Sequence, residues 1–161
     1  MSRVLFPKIA VYQQEWLDVG DGQQLYLEQS GNPNGIAVVY LHGGPGSGSS
    51  KDHRRYFDPD KYRIILFDQR GCGRSKPSPS ISENNSHKLV DDLEIIRQHL
   101  HISKWLVAGG SWGTTLALLY GIKYPKVILG FILRGIFLGS HNEYKWLYSN
   151  IGAARFFPEY F

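Results

Sequence analysis

Four short runs of apolar residues set the terms for this chain of 161 residues. They are IAVVYLH at 36–42, YRIILFD at 62–68, WLVAG at 105–109 and KVILGFILRG at 126–135. Each is short for a helix and too continuous for a strand with one wet face. A strand that is apolar without alternation is buried on both faces, which is the mark of a parallel sheet covered by helices. Helix-like segments lie between the runs. Residues 86–101 put Leu89, Leu93, Ile96 and Leu100 on one face, with Asn85 or Ser86 placed to cap its start. WGTTLALLYGIK at 112–123 is a second such segment, stopped by Tyr124-Pro125. Ahead of them, EWLDVG and QQLYLEQSG flank a GDG turn and read as an antiparallel hairpin. The pattern predicts an α/β protein with a mostly parallel sheet and helices on both faces.

In sheets of this kind chemistry sits in the loops beyond the carboxyl ends of the strands. Three glycine-rich loops fall at such ends, after Leu41, after Phe67 and after Ala108. The last, AGGSWGTT at 108–115, spaces Gly109, Ser111 and Gly113 as a nucleophile elbow. The strand must turn sharply into a helix so that the serine hydroxyl stands clear of the sheet, and the turn leaves no room for side chains two residues to either side. The helix that follows points the positive end of its dipole at the site. The loop HGGPGSGS at 42–49 is suited to the other need of acyl transfer, donors for a developing oxyanion. Trp112 would give one backbone N–H, as the residue after the nucleophile, and Gly44 the other. A phosphate cradle is excluded here, because no G-K-[ST] ending follows Gly48. The loop DQRGCGRS at 68–75 reads as a bracing turn. Asp68 and Arg70 are expected to be internal partners and Cys72 a small filler. It lacks the third glycine of a dinucleotide fingerprint.

The remaining features narrow the class. Net charge is +4, but the basic residues are scattered and the densest run is KDHRR at 51–55, so no nucleic-acid partner is expected. The longest strongly apolar stretch, VILGFIL at 127–133, is far below the ~20 residues of a membrane span, so no membrane partner is expected either. The N-terminal residues lack the apolar core of a secretory signal. One cysteine, Cys72, forbids an internal disulfide and fits a reducing compartment. These features together read as a soluble, cytoplasmic protein. Oligomeric state is not fixed by any of them.

Taken in order, HGGPG, DQRGCGRS, GGSWGTTLAL and LRGIF at 133–137 resemble the proline iminopeptidases (prolyl aminopeptidases) of the α/β-hydrolase fold. The segments LVDDLEIIRQHLHISKWLVAGGSWG and GAARFFPEYF are similar too, so the resemblance covers nearly the whole chain. It implies a serine aminopeptidase that releases N-terminal proline from peptides with no metal or other cofactor. By motif position it implies Ser111 as nucleophile, Gly44 and Trp112 as oxyanion donors, and a structural His42. An esterase or other α/β-hydrolase activity, and a non-catalytic remnant, are the alternatives. The chain departs from the family in one respect. The triad of this fold runs Ser, Asp, His. After Ser111 there is no aspartate, the only carboxylates are Glu143 and Glu159, and the only histidine is His141. The triad Asp and His therefore have no counterpart in this chain, and the 161 residues alone are expected to be inactive. The division that follows is an N-terminal part of the hydrolase core at 1–138 and the start of a helical cap at 139–161, with the core truncated after about the sixth strand.

Overall fold

A computed structural model of the chain describes residues 5–160. The strands are β1 (Val11–Asp18), β2 (Gln24–Gly31), β3 (Ile36–Leu41), β4 (Tyr62–Phe67), β5 (Trp105–Ser111) and β6 (Ile128–Ile136). They form one sheet in the order β1-β2-β4-β3-β5-β6. The hairpin β1–β2 is antiparallel and joins β4 antiparallel, while β4–β3, β3–β5 and β5–β6 are parallel. The apolar runs thus supply the parallel part, and the alternating N-terminal segments supply the antiparallel edge.

Three helices follow: α1 (Ser86–His99), α2 (Trp112–Lys123) and α3 (His141–Tyr148). Asn85 caps α1, its side chain accepting the Lys88 N–H. Helices α1 and α2 lie on one face of the sheet. Val39, Leu41, Ile65, Phe67 and Val107 point to that face and pack with Leu93, Ile96, Leu116 and Tyr120 into the main core. Residues of the other parity, Val38, Tyr40, Ile64, Leu66 and Ala108, form a smaller core with Phe57. A 3-10 turn at Lys51–Tyr56 leans on this second face through Tyr56.

Two expectations need correction. The run at 126–135 reads as a strand buried on both faces, yet β6 is the edge of the sheet and contains no fully buried residue. Leu129 is 54% exposed, Ile132 47% and Ile136 61%. Apolar content says that a strand calls for cover; it does not say which element supplies it. Among the described residues only β5 pairs with β6.

Asp68 and Arg70 are both internal, but they do not bond each other. Arg70 makes a bidentate pair with Asp92 of α1, at 2.6 Å from Nε and 2.7 Å from Nη2, with both side chains buried. Asp21 of the hairpin turn takes a third bond at 2.9 Å. Asp68 pairs instead with Arg74. The turn at Gly73 brings Arg74 back over the carboxylate, and a Cβ on Gly73 would lie 2.5 Å from Asp68 Oδ2. Arg70 therefore ties the hairpin to α1, and Asp68 is left to hold the loops at the carboxyl end of the sheet. No helix among the described residues is long and apolar enough to cross a membrane.

Candidate active site

Strand β5 enters α2 through Ser111, whose backbone lies at φ 54° and ψ −124°. A non-glycine residue in this left-handed region carries strain of about 1–3 kcal/mol and persists only where its surroundings enforce it. Here the enforcement is close approach. A Cβ on Gly109 would lie 2.5 Å from Gly113 O, and a Cβ on Gly113 would collide with Leu41 O of β3. The first turn of α2 is pressed against two strand ends, and the residue between the glycines has no other route.

Ser111 occupies the N-cap position of α2, but its side chain caps nothing. Thr114 does the local work. Its hydroxyl bonds Ser111 O at 2.7 Å and accepts the Phe137 N–H at 2.9 Å, which ties the elbow to the segment after β6. The Ser111 hydroxyl is exposed and has no hydrogen bond among the described residues. It stands at the start of a helix of 12 residues, where the dipole favours negative charge.

The loop at 42–49 lies against this serine. Gly43 is the point of contact: a Cβ there would lie 3.4 Å from Ser111 Cβ and 3.1 Å from Gly110 O. Gly44 comes next, at φ 117°, where the chain doubles back so tightly that a Cβ would lie 2.6 Å from Gly46 N. Gly43 keeps backbone, not side chain, facing the elbow, and Gly44 permits the tight turn behind it.

His42 opens the loop fully buried. Its Nδ1 donates to Gly43 O at 2.9 Å, and its Nε2 accepts the Gln69 N–H at 3.0 Å. Burial pushes its pKa below the ordinary imidazole value, so the ring is neutral and both nitrogens are engaged. The geometry makes His42 a brace and leaves it no role as a base.

Gln69, which the sequence reading passes over, is the residue that joins the two parts of the site. It is buried, its Nε2 donates to His42 O at 2.9 Å, and its Oε1 accepts the indole N–H of Trp112 at 3.1 Å. One amide thus clasps the loop at 42 and the elbow at 112. The only sequence signal was its position, one residue past Asp68 at the end of a buried strand.

Asp68 fixes the far end of the same loop. It accepts from Ser49 N–H at 2.7 Å and Ser49 Oγ at 2.6 Å, and from Arg74 N–H and Nε, each at 2.8 Å. Burial alone would raise its pKa, but the bonds from Arg74 and Ser49 override it and hold the carboxyl at about 2. Arg74 also reaches Glu28 at 3.1 Å, where Arg54 makes a bidentate pair at 2.7 and 2.8 Å. Cys72 is buried beneath these loops. Burial first, and then the Asp68 charge, push its thiol up to about 11, so it is protonated at neutral pH and fills space.

His141 is the first residue of α3 and is exposed. Glu143 is occupied by the cap of that helix, accepting the N–H groups of Ser140 and Leu138. Neither bonds Ser111. Ser111, Trp112 and the Gly43–Gly44 turn are brought together; His141 is not brought to them by any hydrogen bond.

A mostly parallel sheet that presents a strained serine at a strand-to-helix turn, with a glycine-rich backbone loop against it, is the arrangement of the α/β hydrolases. A family profile described as alpha/beta hydrolase fold matches residues 36–161, and the chain belongs to that family. Within it, the chain is similar to proline iminopeptidases. It is 50% identical over 158 residues to the proline iminopeptidase of Arabidopsis thaliana, covering 98% of this chain and 41% of that protein. It is 48% identical over 157 residues to that of Xylella fastidiosa strain Temecula1, covering 98% and 50%. The crystal structure of a proline iminopeptidase-related protein from Thermus thermophilus superposes with a TM-score of 0.67 at 29% identity, over 75% of this chain and 43% of that one. The chain spans about half the length of the curated relatives it matches.

Proposed function

We propose that this chain carries the nucleophile-bearing part of a serine aminopeptidase that releases N-terminal proline from peptides. The observation that carries the reading is the Ser111 hydroxyl, held free at a left-handed backbone position above the start of α2, in a chain about half identical to proline iminopeptidases. In this reading Ser111 Oγ attacks the carbonyl carbon of the first residue. The carbonyl oxygen takes up the negative charge, and the backbone N–H of Trp112 and one from the Gly43–Gly44 turn receive it. The C–N bond breaks, the amine leaves with the proton taken from Ser111, and water then releases proline from the acyl-enzyme.

The step that removes the Ser111 proton needs a base, and residues 1–161 do not provide one. No aspartate follows Ser111, His42 is locked and neutral, and His141 is exposed on α3. A histidine and an aspartate from outside these residues complete the triad. Residues 139–160 form the start of a cap over the site, a peptide beginning with proline is the substrate, and the cytoplasm is the compartment.

The test joins residues 1–161 to the C-terminal half of the Xylella relative on one chain and offers a proline anilide. Turnover should appear and should fall by about 10³-fold or more in Ser111→Ala, the usual cost of losing a triad nucleophile. Residues 1–161 alone should show no release that depends on Ser111. A joined chain that melts cooperatively yet turns over equally well with and without the Ser111 hydroxyl sinks the proposal.

A further inference from the structure

Beside the elbow lies a groove of about 520 Å³ that the chemistry above does not use. Trp112, the neighbour of Ser111, lines it together with Pro45 and Gly46. The loop after β4, Ser78, Ile81 and the start of α1 supply the rest of its lining. We infer that it receives the leaving part of the substrate, an extended and uncharged peptide segment on the C-terminal side of the scissile bond. The inference rests on the peptidase reading above and adds a binding site to it.

Three properties of the groove lead there. The first is continuity. Trp112 follows Ser111 in the chain, and Pro45 and Gly46 belong to the loop whose Gly43 meets Ser111, so a peptide whose carbonyl sits at the hydroxyl has the groove beside it. The second is size. Sites of roughly 300–1,000 Å³ take drug-sized ligands, several times larger than one proline residue. A site for the released residue alone would not need this space, whereas two or three residues of peptide would fill it.

The third is charge and shape. Arg70 is a wall residue, but its guanidinium is 2% exposed and is consumed by Asp92 and Asp21, so the groove presents no free cation from it. The rest of the lining is glycine, proline, serine, asparagine and Cys72, with Leu89, Ile81 and Trp112 as apolar contacts. Such a surface suits a neutral backbone and small side chains better than a phosphate or a free carboxylate. The walls are also preformed. Ser80 N–H donates to Gly71 O at 3.1 Å, Asn84 Nδ2 donates to Arg70 O at 2.9 Å, and a Cβ on Gly71 would collide with Ser80 O.

The experiment uses the 161-residue chain as it is. An N-acetyl tripeptide amide with a diazirine on its second residue is photolysed with the protein, and the crosslinks are mapped by mass spectrometry. The acetyl carbonyl stands in for the scissile one. Crosslinks should map to residues 71–86, compete with unlabelled peptide, and fall about tenfold in Ser78→Trp, which puts an indole into the groove. Ser78 is exposed, so the substitution should leave the fold intact; if it does not, Ile81→Trp on a 93%-exposed side chain replaces it. Prolinamide should not compete. Crosslinks that map elsewhere, survive the folded tryptophan variant or are displaced by prolinamide overturn the inference. The map is read without turnover, so a negative map refutes the groove whatever the anilide assay gives. A negative anilide assay beside a positive map refutes only the peptidase reading.

Discussion

Replacing Asp68 with asparagine isolates one charge that holds the candidate site together. The carboxyl is held at about 2 in the folded chain against an ordinary 3.8. That difference is worth about 2.4 kcal/mol at neutral pH, taking 1.36 kcal/mol per tenfold change. Because the folded value is depressed, the stabilisation is fully present above the ordinary carboxylate range and is lost as pH falls toward 2. About half, or ~1.3 kcal/mol, remains at pH 3. Asparagine also turns two donors toward Arg74 and Ser49, which already donate to this position, so the cost at pH 7 should reach about 3–5 kcal/mol. The assay is urea unfolding at micromolar concentration, followed by tryptophan fluorescence, for both proteins at pH 7 and pH 3. The gap between them should narrow by about 1 kcal/mol at the lower pH. A gap of the same size at both would refute the idea that the Asp68 charge, and not its shape, secures the loop.

Two further outcomes follow from close contacts. Gly113→Ala should lose about 3 kcal/mol or fail to fold, because its Cβ collides with Leu41 O, whereas Gly130→Ala, with only Leu106 Cδ2 at 3.4 Å, should cost less than about 1 kcal/mol. Equal melting temperatures for the two variants would contradict the packing account of the elbow. The 161-residue chain should also self-associate at about 10 μM through the open edge of β6, and Ile132→Lys should restore a monomer. Sedimentation of the unsubstituted chain as a sharp monomer would count against that edge as the cause.

Much of the site was readable because backbone constraints leave strong marks on sequence. A serine between two glycines, after an apolar run and before a helix, is hard to build in any other way. The contacts of Gly109 with Gly113 and of Gly113 with Leu41 show why. The cap at Asn85 and the antiparallel hairpin were legible for the same local reason. What the sequence could not settle were choices between chemically equal partners. Arg70 and Arg74 both lie within six residues of Asp68. Only the path of the turn through Gly73, and the arrival of Asp92 from α1, decide that Arg74 takes the carboxylate. Gln69 carried no pattern at all, since its importance lies in what two distant segments, at His42 and Trp112, bring to it. Strand β6 has the composition of a covered strand and yet stands at the sheet edge, because composition records the demand for burial and not its supply. The position closest to Ser111 also emerged only from the loop's path, which puts Gly43 in contact and Gly44 one residue beyond.

The backbone angle at Ser111 sets the interests of the fold against those of the chemistry. Glycine would relax φ 54° at no steric cost, so Ser111→Gly should make the protein sturdier while removing the hydroxyl that the proposed mechanism uses. Variants sorted only for heat resistance would then drift away from serine at this one place and stay put at Gly109 and Gly113. The torsion angles of a single residue would then separate what steadies this fold from what the proposed chemistry asks of it.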